Sequence, residues 1–593
     1  MTQSTYSLQP YRAKFYGTRH AAASGHYLAA QAAFQILEAG GNAVDAGVAG
    51  GIALGVVESL MVGFAGVAPI LIYLADADEV VTIAGVGTWP KAASAEYFQK
   101  HHGGILDGIL ATVVPAAPDA WITCLEEFGT MSYGEVAAPA IRFAREGFVM
   151  YPLMAELISG REEQFRGFSE SAKIYLPGGR PPEPGDLFVQ ADLANSIQFL
   201  ADEERAHAKR GRKAGLQAVR RAFYGGDLAA RIVRHHQEIG GLLRAEDLAG
   251  YRVRIEPPCR VRFGGDVEVF TGGPWGQGPV MLEALNILDD LDLAVMGHNS
   301  TEYIHAAIEA IKLAAADREA YFGDPLFVDV PIEALLSKEH AEARRRMIRA
   351  DEAWPEVPPA AEVAGANWPS PEQLEAGKLS PTRAGAAAPI HGDTSYVCVV
   401  DRHGNAFSAT PSDGNGGGDV IPGTGFLPSM RGKGGRADPN HPAAATPGAR
   451  SRMTGGPALA VRDGRWFMPF GTPGSDNQFQ AMLQVFLNVF VFGMDPQEAV
   501  EAPRFNTHSF YQTLQPIPPH GYEPGSLYLE RRIDKATGTA LAAKGHKVDW
   551  WPEWGPEAGH VDIATVCAIL ADRRTGVLHA AHDPRRVSGA LAW

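Results

Sequence analysis

At 593 residues, 46% hydrophobic and 20% charged, the chain can bury a substantial core and has the balance of a large soluble enzyme. Its formal net charge of −16 argues against a nucleic-acid-binding protein. Cys124, Cys259, Cys398 and Cys567 are scattered without a CxxC pair, which excludes a zinc ribbon and a disulfide framework as organising features.

Met1 to His20 is polar and carries Pro and Arg, with no apolar core of a secretion signal, so a cytoplasmic location is expected. The apolar stretch Val44 to Ala75 is interrupted by Glu58, Ser59 and Pro69. It reads as a buried helix followed by a buried strand, Pro69 to Leu74, and not as a membrane span. His101-His102 and His235-His236 lack an HExxH context, so neither metal nor cofactor is expected. The basic cluster Arg205 to Arg221, with Lys209, Arg210, Arg212 and Lys213, reads as a solvated helical face; a nucleic-acid patch is the lesser alternative. Trp275, in a Gly/Pro-rich run, reads as structural, with a pocket wall as its other role. Ser300 as cap, Ile304, Ile308, Ile311 and Ala315 on one face and Gly323 as stop predict a helix over Thr301 to Tyr321. Residues 354–393 are rich in Ala, Pro and Gly without periodicity and read as a surface linker.

Beyond the linker the chain turns abruptly strand-like at Asp393-Thr394-Ser395-Tyr396. The runs 395–401 and 406–410 flank Arg402-His403-Gly404 and predict a hairpin with Gly404 at positive φ. In a hairpin centred on His403, Asp401 faces Asn405, Tyr396 faces Thr410, and Thr394 faces Ser412. Ser412 is then placed to orient the Thr394 hydroxyl. Such a hydroxyl is a poor nucleophile while its amide is intact. A cut before Thr394 would set a free α-amine beside it, with a pKa of about 7.7–8.0, suited to act as general base. The plain alternative is a core hairpin with Thr394 as an ordinary strand start. Gly414-Asn415-Gly416-Gly417-Gly418 has no GK[ST] ending and reads as a loop beside the site, not a phosphate cradle.

Further on, Trp466 to Phe470 reads as a strand and Gly471 to Asp476 as a Gly-rich turn. Phe479, Met482, Leu483, Phe486 and Phe490 then predict a helix that stops at Gly493. Free N–H groups and the positive end of the helix dipole meet at this turn and favour an oxyanion, with the amides of Gly474 and Ser475 as candidate donors. The alternative is a tight turn capped by Asp476. A second hairpin is expected at 561–570 and 577–581.

Several strings, in this order, resemble the γ-glutamyltransferases of the N-terminal-nucleophile hydrolases. They are Glu38 to Ala46 (EAGGNAVDA), Gly129-Thr130-Met131, Ala144 to Phe148, Ala284 to Leu288, Ala316 to Pro325, Glu501 to Phe505 and His582 to Arg585. The resemblance covers nearly the whole chain. It implies an α/β (α+β) four-layer αββα sandwich and scission between Asp393 and Thr394. Residues 1–393 would form a large subunit and 394–593 a small one, both sharing one core. It also implies Thr394 as nucleophile, Ser412 in place of a second threonine, and Gly474 and Ser475 as oxyanion pair, with no cofactor.

The departures lie in substrate recognition. The arginine that the family places four residues before Pro90 is Val86 here. The run that supplies an amide pair and an acid reads Gly425-Phe426-Leu427-Pro428-Ser429-Met430-Arg431-Gly432. A serine pair is Met453-Thr454, a family asparagine falls on Gly414 beside Asp413, and the Gly-rich run is diluted to Val62 to Ala68. A zwitterionic head group left without partners in a buried site costs several kcal/mol. The chemistry therefore reads as retained and the specificity as rebuilt, with Asp413, Arg431 and Thr454 as candidate contacts for a small-molecule amide. For Arg431 the preferred reading is an exposed loop arginine. Three functions follow in order: a non-glutamyl amidohydrolase or acyltransferase, a genuine γ-glutamyltransferase, and an unprocessed pseudoenzyme that binds a small molecule. No membrane or nucleic-acid partner is expected.

Overall fold

In the strand Val397–Val400, successive side chains part to opposite faces, as the two-residue period of a strand requires. Val397 and Val399 join a core with Ala33, Val48 and Ile52 of two helices, Tyr27–Glu38 and Ala43–Val57. Tyr396, Cys398 and Val400 face the other way, against Phe270, Leu459, Phe467 and Ile569. Those last residues belong to a second sheet. Its opposite face, with Met468 and Phe470, packs on the helices Gly278–Leu288, Thr301–Tyr321 and Gln478–Phe490. The layers are helix, sheet, sheet, helix. The chain thus has the four-layer αββα architecture, seen in a computed structural model that describes residues 11–364, 394–413, 418–462, 464–514, 522–551 and 564–593.

Each sheet has seven strands, antiparallel throughout. The first runs Gly589–Ala592, Ala21–Ser24, Val397–Val400, Ala406–Ala409, Ile70–Leu74, Glu79–Ile83, Ile255–Glu256. The second runs Phe15–Gly17, Leu578–His582, Cys567–Asp572, Trp466–Gly471, Ala458–Arg462, Val267–Thr271, Cys259–Phe263. Both sheets interleave strands from before and after Thr394, so the two parts of the chain share one core.

The expected helix Thr301–Tyr321 forms with Ser300 as its cap, the hydroxyl accepting from the Tyr303 amide. It is buried on nearly every side rather than along one stripe, because it lies inside the outer layer. The second hairpin forms at Cys567–Asp572 and Leu578–His582; residues 561–563 lie outside the described residues. The stretch 44–75 contains one strand more than expected, Val62–Val67, buried at every position. In the basic cluster, Lys209, Arg210 and Lys213 are exposed, but Arg220 is buried and paired with Asp119 and Glu126.

The linker needs a correction at its start. Residues 354–364 are docked on the Thr301–Tyr321 helix: Lys312 donates to the Trp354 carbonyl at 2.9 Å, and the Ala361 amide donates to Asp317 at 2.6 Å. Ala and Pro carry no periodicity, yet their backbone groups meet a row of buried charges. Residues 365–393, including Asp393, lie outside the described residues.

Two strings of the resemblance meet in space. Asn42 caps the Ala43–Val57 helix, and Asp45 accepts from the Thr130 amide at 2.9 Å, the Thr130 hydroxyl at 2.6 Å and the Met131 amide at 3.1 Å. At the same helix start, the Ala43 amide donates to Asp401 at 2.9 Å, which fixes the turn of the hairpin that begins at Thr394.

Candidate active site

The hairpin has the register that a His403-centred loop dictates. Val397 pairs with Ala409 and Val400 with Ala406, and an isolated bridge joins Thr394 to Ser412. Asp401 builds the turn, accepting from the His403 and Asn405 amides at 2.8 and 3.0 Å, and Gly404 takes a φ of +83°. The consequence at the other end is a hydrogen bond of 2.7 Å between the Thr394 and Ser412 hydroxyls, both buried.

Ser412 also accepts from the Arg431 guanidinium, and Arg431 is only 2% exposed. The expected exposed loop arginine is therefore wrong. The Gly/Lys/Arg neighbourhood that suggested a solvated loop is a buried short turn, Arg431–Gly434, packed beneath Trp89. Asp413 takes a φ of +82°, rare for a residue with a side chain, and its carboxylate accepts from the Ser429 hydroxyl. Ser429 and Arg431 thus both reach the end of the Thr394 hairpin, at Asp413 and Ser412, from the rebuilt run 425–432. The diluted Gly-rich run keeps its glycines where they matter: a Cβ on Gly63 or Gly66 would lie 2.3 Å from the carbonyl oxygens of Asp413 and Ser412. Gly414 lies outside the described residues. Val86 is buried, its carbonyl taken by the Tyr251 hydroxyl, so no cation stands there.

The second half of the site comes from the strand Trp466–Gly471, whose end is pressed against Tyr396. A Cβ on Gly471 would meet that ring at 2.3 Å. Gly474 has φ +122° and Ser475 φ +48°, and the helix Gln478–Phe490 follows a short turn, Ser475–Asn477. A left-handed serine costs about 1–2 kcal/mol, so something must hold it. Asp476 does not cap the helix. Its carboxylate accepts from the Thr513 amide at 2.8 Å, the Thr513 hydroxyl at 2.7 Å and Arg318 at 2.7 Å. Thr454 is fully buried, and its hydroxyl has no hydrogen-bond partner among the described residues. Trp275 is a structural residue, donating to Glu256 at 3.0 Å and stacked under Arg450.

Sequence reasoning missed three things here. Gln277 and Arg318 lie behind the turn; Arg318 falls in the family-like string Ala316 to Pro325, but nothing local assigns either residue a role there. Glu319 binds Arg436 at 2.9 Å, Arg452 at 2.7 Å and His441 at 3.1 Å. Burial alone would raise the Glu319 carboxyl, yet those cations hold it well below the usual range. Glu58 sits beside Ser395, and burial pushes its carboxyl up to about 7 against the pull of Ser395 and Arg586.

Two buried groups have metal-ligand chemistry, His305/Glu309/His546 and Glu283/Asp317/His340. Each already contains a protein cation: Lys312 lies 2.6 Å from Glu309, and Arg344 lies 3.1 Å from Asp317. They read as ion-pair networks under the docked segment 354–364. His101, His102, His235 and His236 belong to neither.

With this geometry in view, the comparisons with known proteins decide the family. Residues 29–593 match the gamma-glutamyltranspeptidase family. The chain belongs to that family. It is 33% identical over 545 residues to the acylase ACY 1 proenzyme of Pseudomonas sp. (strain SE83), covering 90% of this chain and 88% of the relative. It is 30% identical to the glutathione hydrolase-like YwrD proenzyme of Bacillus subtilis (strain 168), covering 97% and 98%. Among solved structures it superposes on the cephalosporin acylase of Bacillus halodurans with a TM-score of 0.82 and 28% identity, covering 100% of this chain and 99% of that one. The chain is thus an N-terminal-nucleophile hydrolase or acyltransferase of the gamma-glutamyltranspeptidase type. Among the described residues, no helix is long and apolar enough to cross a membrane.

Proposed function

We propose that the chain is a self-processing threonine amidohydrolase or acyltransferase whose acyl group is not γ-glutamyl. The observation that carries this reading is the 2.7 Å pair of Thr394 and Ser412 hydroxyls, with the Arg431 guanidinium on Ser412 where the family's head-group contacts are missing. In processing, the Thr394 hydroxyl attacks the Asp393 carbonyl, the acyl group shifts from nitrogen to oxygen, and water hydrolyses the ester. That step yields an Asp393 carboxylate, a free Thr394 amine, and two subunits, 1–393 and 394–593, held in one core. In turnover, the Thr394 hydroxyl gives its proton to its own amine and attacks a small-molecule amide. The Gly474 and Ser475 amides stabilise the oxyanion, the amine proton passes to the leaving nitrogen, and water or an amine acceptor resolves the acyl-enzyme.

Arg431 occupies one lone pair of Ser412, which makes the Ser412 O–H the stronger donor toward Thr394 and orients the nucleophile. Arg431, Asp413 and Thr454 are the proposed substrate contacts. Together they offer one cation, one acid and one hydroxyl, and lack the amide pair that a zwitterionic head group needs. The names of the acylase relatives point the same way. A genuine γ-glutamyltransferase is the second reading, favoured by the likeness to the glutathione hydrolase-like relative. Four unpaired cysteines fit a reducing compartment, and a cytoplasmic location is proposed.

The test compares anilides of plain and carboxylate-bearing acyl groups with a γ-glutamyl anilide. Faster turnover of the former, with Arg431→Met changing the order of preference, is the expected result. Fast γ-glutamyl turnover favours the second reading. No turnover by an uncut chain favours a pseudoenzyme.

A further inference from the structure

Ser475 occupies a left-handed conformation that a side chain disfavours, at the point where two backbone N–H groups must be aimed. Its support comes from far away in the chain. Gln277 is 1% exposed, and its amide nitrogen donates at 2.7 Å to the Ser475 carbonyl and at 2.7 Å to the Thr454 carbonyl. The Gln277 amide oxygen accepts from Arg318 at 3.2 Å. Arg318 is fully buried, and the same nitrogen donates at 2.7 Å to Asp476, the residue after Ser475. Its other terminal nitrogen donates to the Tyr511 carbonyl at 2.5 Å. The peptide plane that follows Ser475 and the side chain of Asp476 are thereby tied to one rigid fork.

We infer that Gln277 and Arg318 are positioning residues for acyl transfer: they hold the Ser475 carbonyl and the Asp476 carboxylate, and so aim the Gly474 and Ser475 N–H groups at the oxyanion. This rests on the reading of Thr394 as nucleophile and of that turn as the oxyanion site. The geometry is specific. A peptide plane turns as a unit, so pinning the Ser475 carbonyl limits rotation about the Ser475 ψ, and pinning Asp476 fixes the residue that follows. Preorganised donors act because they need not rearrange as charge develops. A turn held in an unfavourable conformation by two buried side chains loses that preorganisation when either is removed, with nucleophile and amine left in place. Because Gln277 also holds the Thr454 carbonyl, the test needs a substrate that does not use the specificity pocket.

The test uses the full chain and p-nitrophenyl acetate, an activated ester whose small acyl group makes no demand on a specificity pocket. The Thr394 oxygen attacks the ester carbonyl, p-nitrophenolate leaves, and the hydroxyl proton passes through the Thr394 amine to water. Acetylation is followed by phenolate release and located by mass spectrometry on the 394–593 fragment. In Gln277→Met, which matches the side chain in size but donates nothing, the limiting acetylation rate should fall about 10- to 100-fold. Half-saturation should stay within about threefold, and the pH–rate inflection of the Thr394 amine should not move. Gln277→Glu keeps a partner for Arg318 while presenting acceptors to two carbonyls; it should lower the melting temperature and, assayed below it, show the same loss. Arg318→Lys, which keeps the charge but loses the fork, should be intermediate. Wild-type rates in folded Gln277→Met or Gln277→Glu would overturn the positioning role alone. Wild-type protein that is not acetylated at Thr394 would overturn the underlying reading, which separates the two failures.

Discussion

The two halves of the site are built in opposite ways. The hairpin that carries the proposed nucleophile is local: an Asx-type turn at Asp401 sets the register, and the register delivers Ser412 to Thr394 across 18 residues of chain, with the left-handed Asp413 lying just beyond that pair. The proposed oxyanion turn holds a left-handed serine and is supported remotely, with Gln277 reaching it from 198 residues away and Arg318 reaching Asp476 from 158. The difference teaches where this chain tolerates change. The hairpin can lose chemistry without losing structure, whereas the turn links catalytic geometry to buried charge.

The largest effect expected is on the hairpin. Thr394→Ala should leave one full-length chain on a denaturing gel and remove turnover by about 10³-fold or more, while the melting temperature stays near that of the unprocessed parent. A processed, active Thr394→Ala protein would break the comparison at its root. Next, Arg318→Met should cost about 3–5 kcal/mol in denaturant unfolding, because it leaves the Asp476 carboxylate buried without its cation. A cost under about 1 kcal/mol would mean that the turn does not depend on its remote support.

Glu58 sharpens the comparison from the hairpin side. Its folded pKa, about 7, lies above the ordinary 4.5, so the folded state holds the proton more tightly than the unfolded chain. The resulting stability is present below about pH 4.5 and is lost as pH rises through 7. Glu58→Gln should match wild type at low pH and exceed it at pH 8 by a margin on the order of 3 kcal/mol, read from urea midpoints across that range. An unchanged pH slope would remove Glu58 from the account. The smallest effect is Ser475→Gly. Relief of the left-handed serine should stabilise the protein by about 0.5–1 kcal/mol and leave acetylation within a few-fold, since the backbone donor is kept.

The same contrast explains what the sequence disclosed. The hairpin pairing follows from loop position alone, so the Thr394–Ser412 contact was legible by counting. The helix Thr301–Tyr321 was legible because Ser300 and Gly323 punctuate it, but its burial on every side was not, since alanine is silent about its surroundings. The strand Val62–Val67 escaped notice because a strand buried at all positions shows no alternation. Arg431 misled because glycines and cations beside it describe a solvated loop as well as a buried turn. Gln277 and Arg318 were invisible for a different reason. Their roles exist only once two outer-layer helices meet the turn, and no spacing along the chain encodes that meeting.

The central claim is that scission before Thr394 creates the catalytic amine, and it is tested most directly by N-terminal sequencing and intact mass of freshly purified protein. The account predicts two fragments of about two-thirds and one-third of the chain, the smaller beginning Thr394-Ser395-Tyr396. Full amidase activity from an intact chain, or a new N-terminus at any other residue, would contradict it.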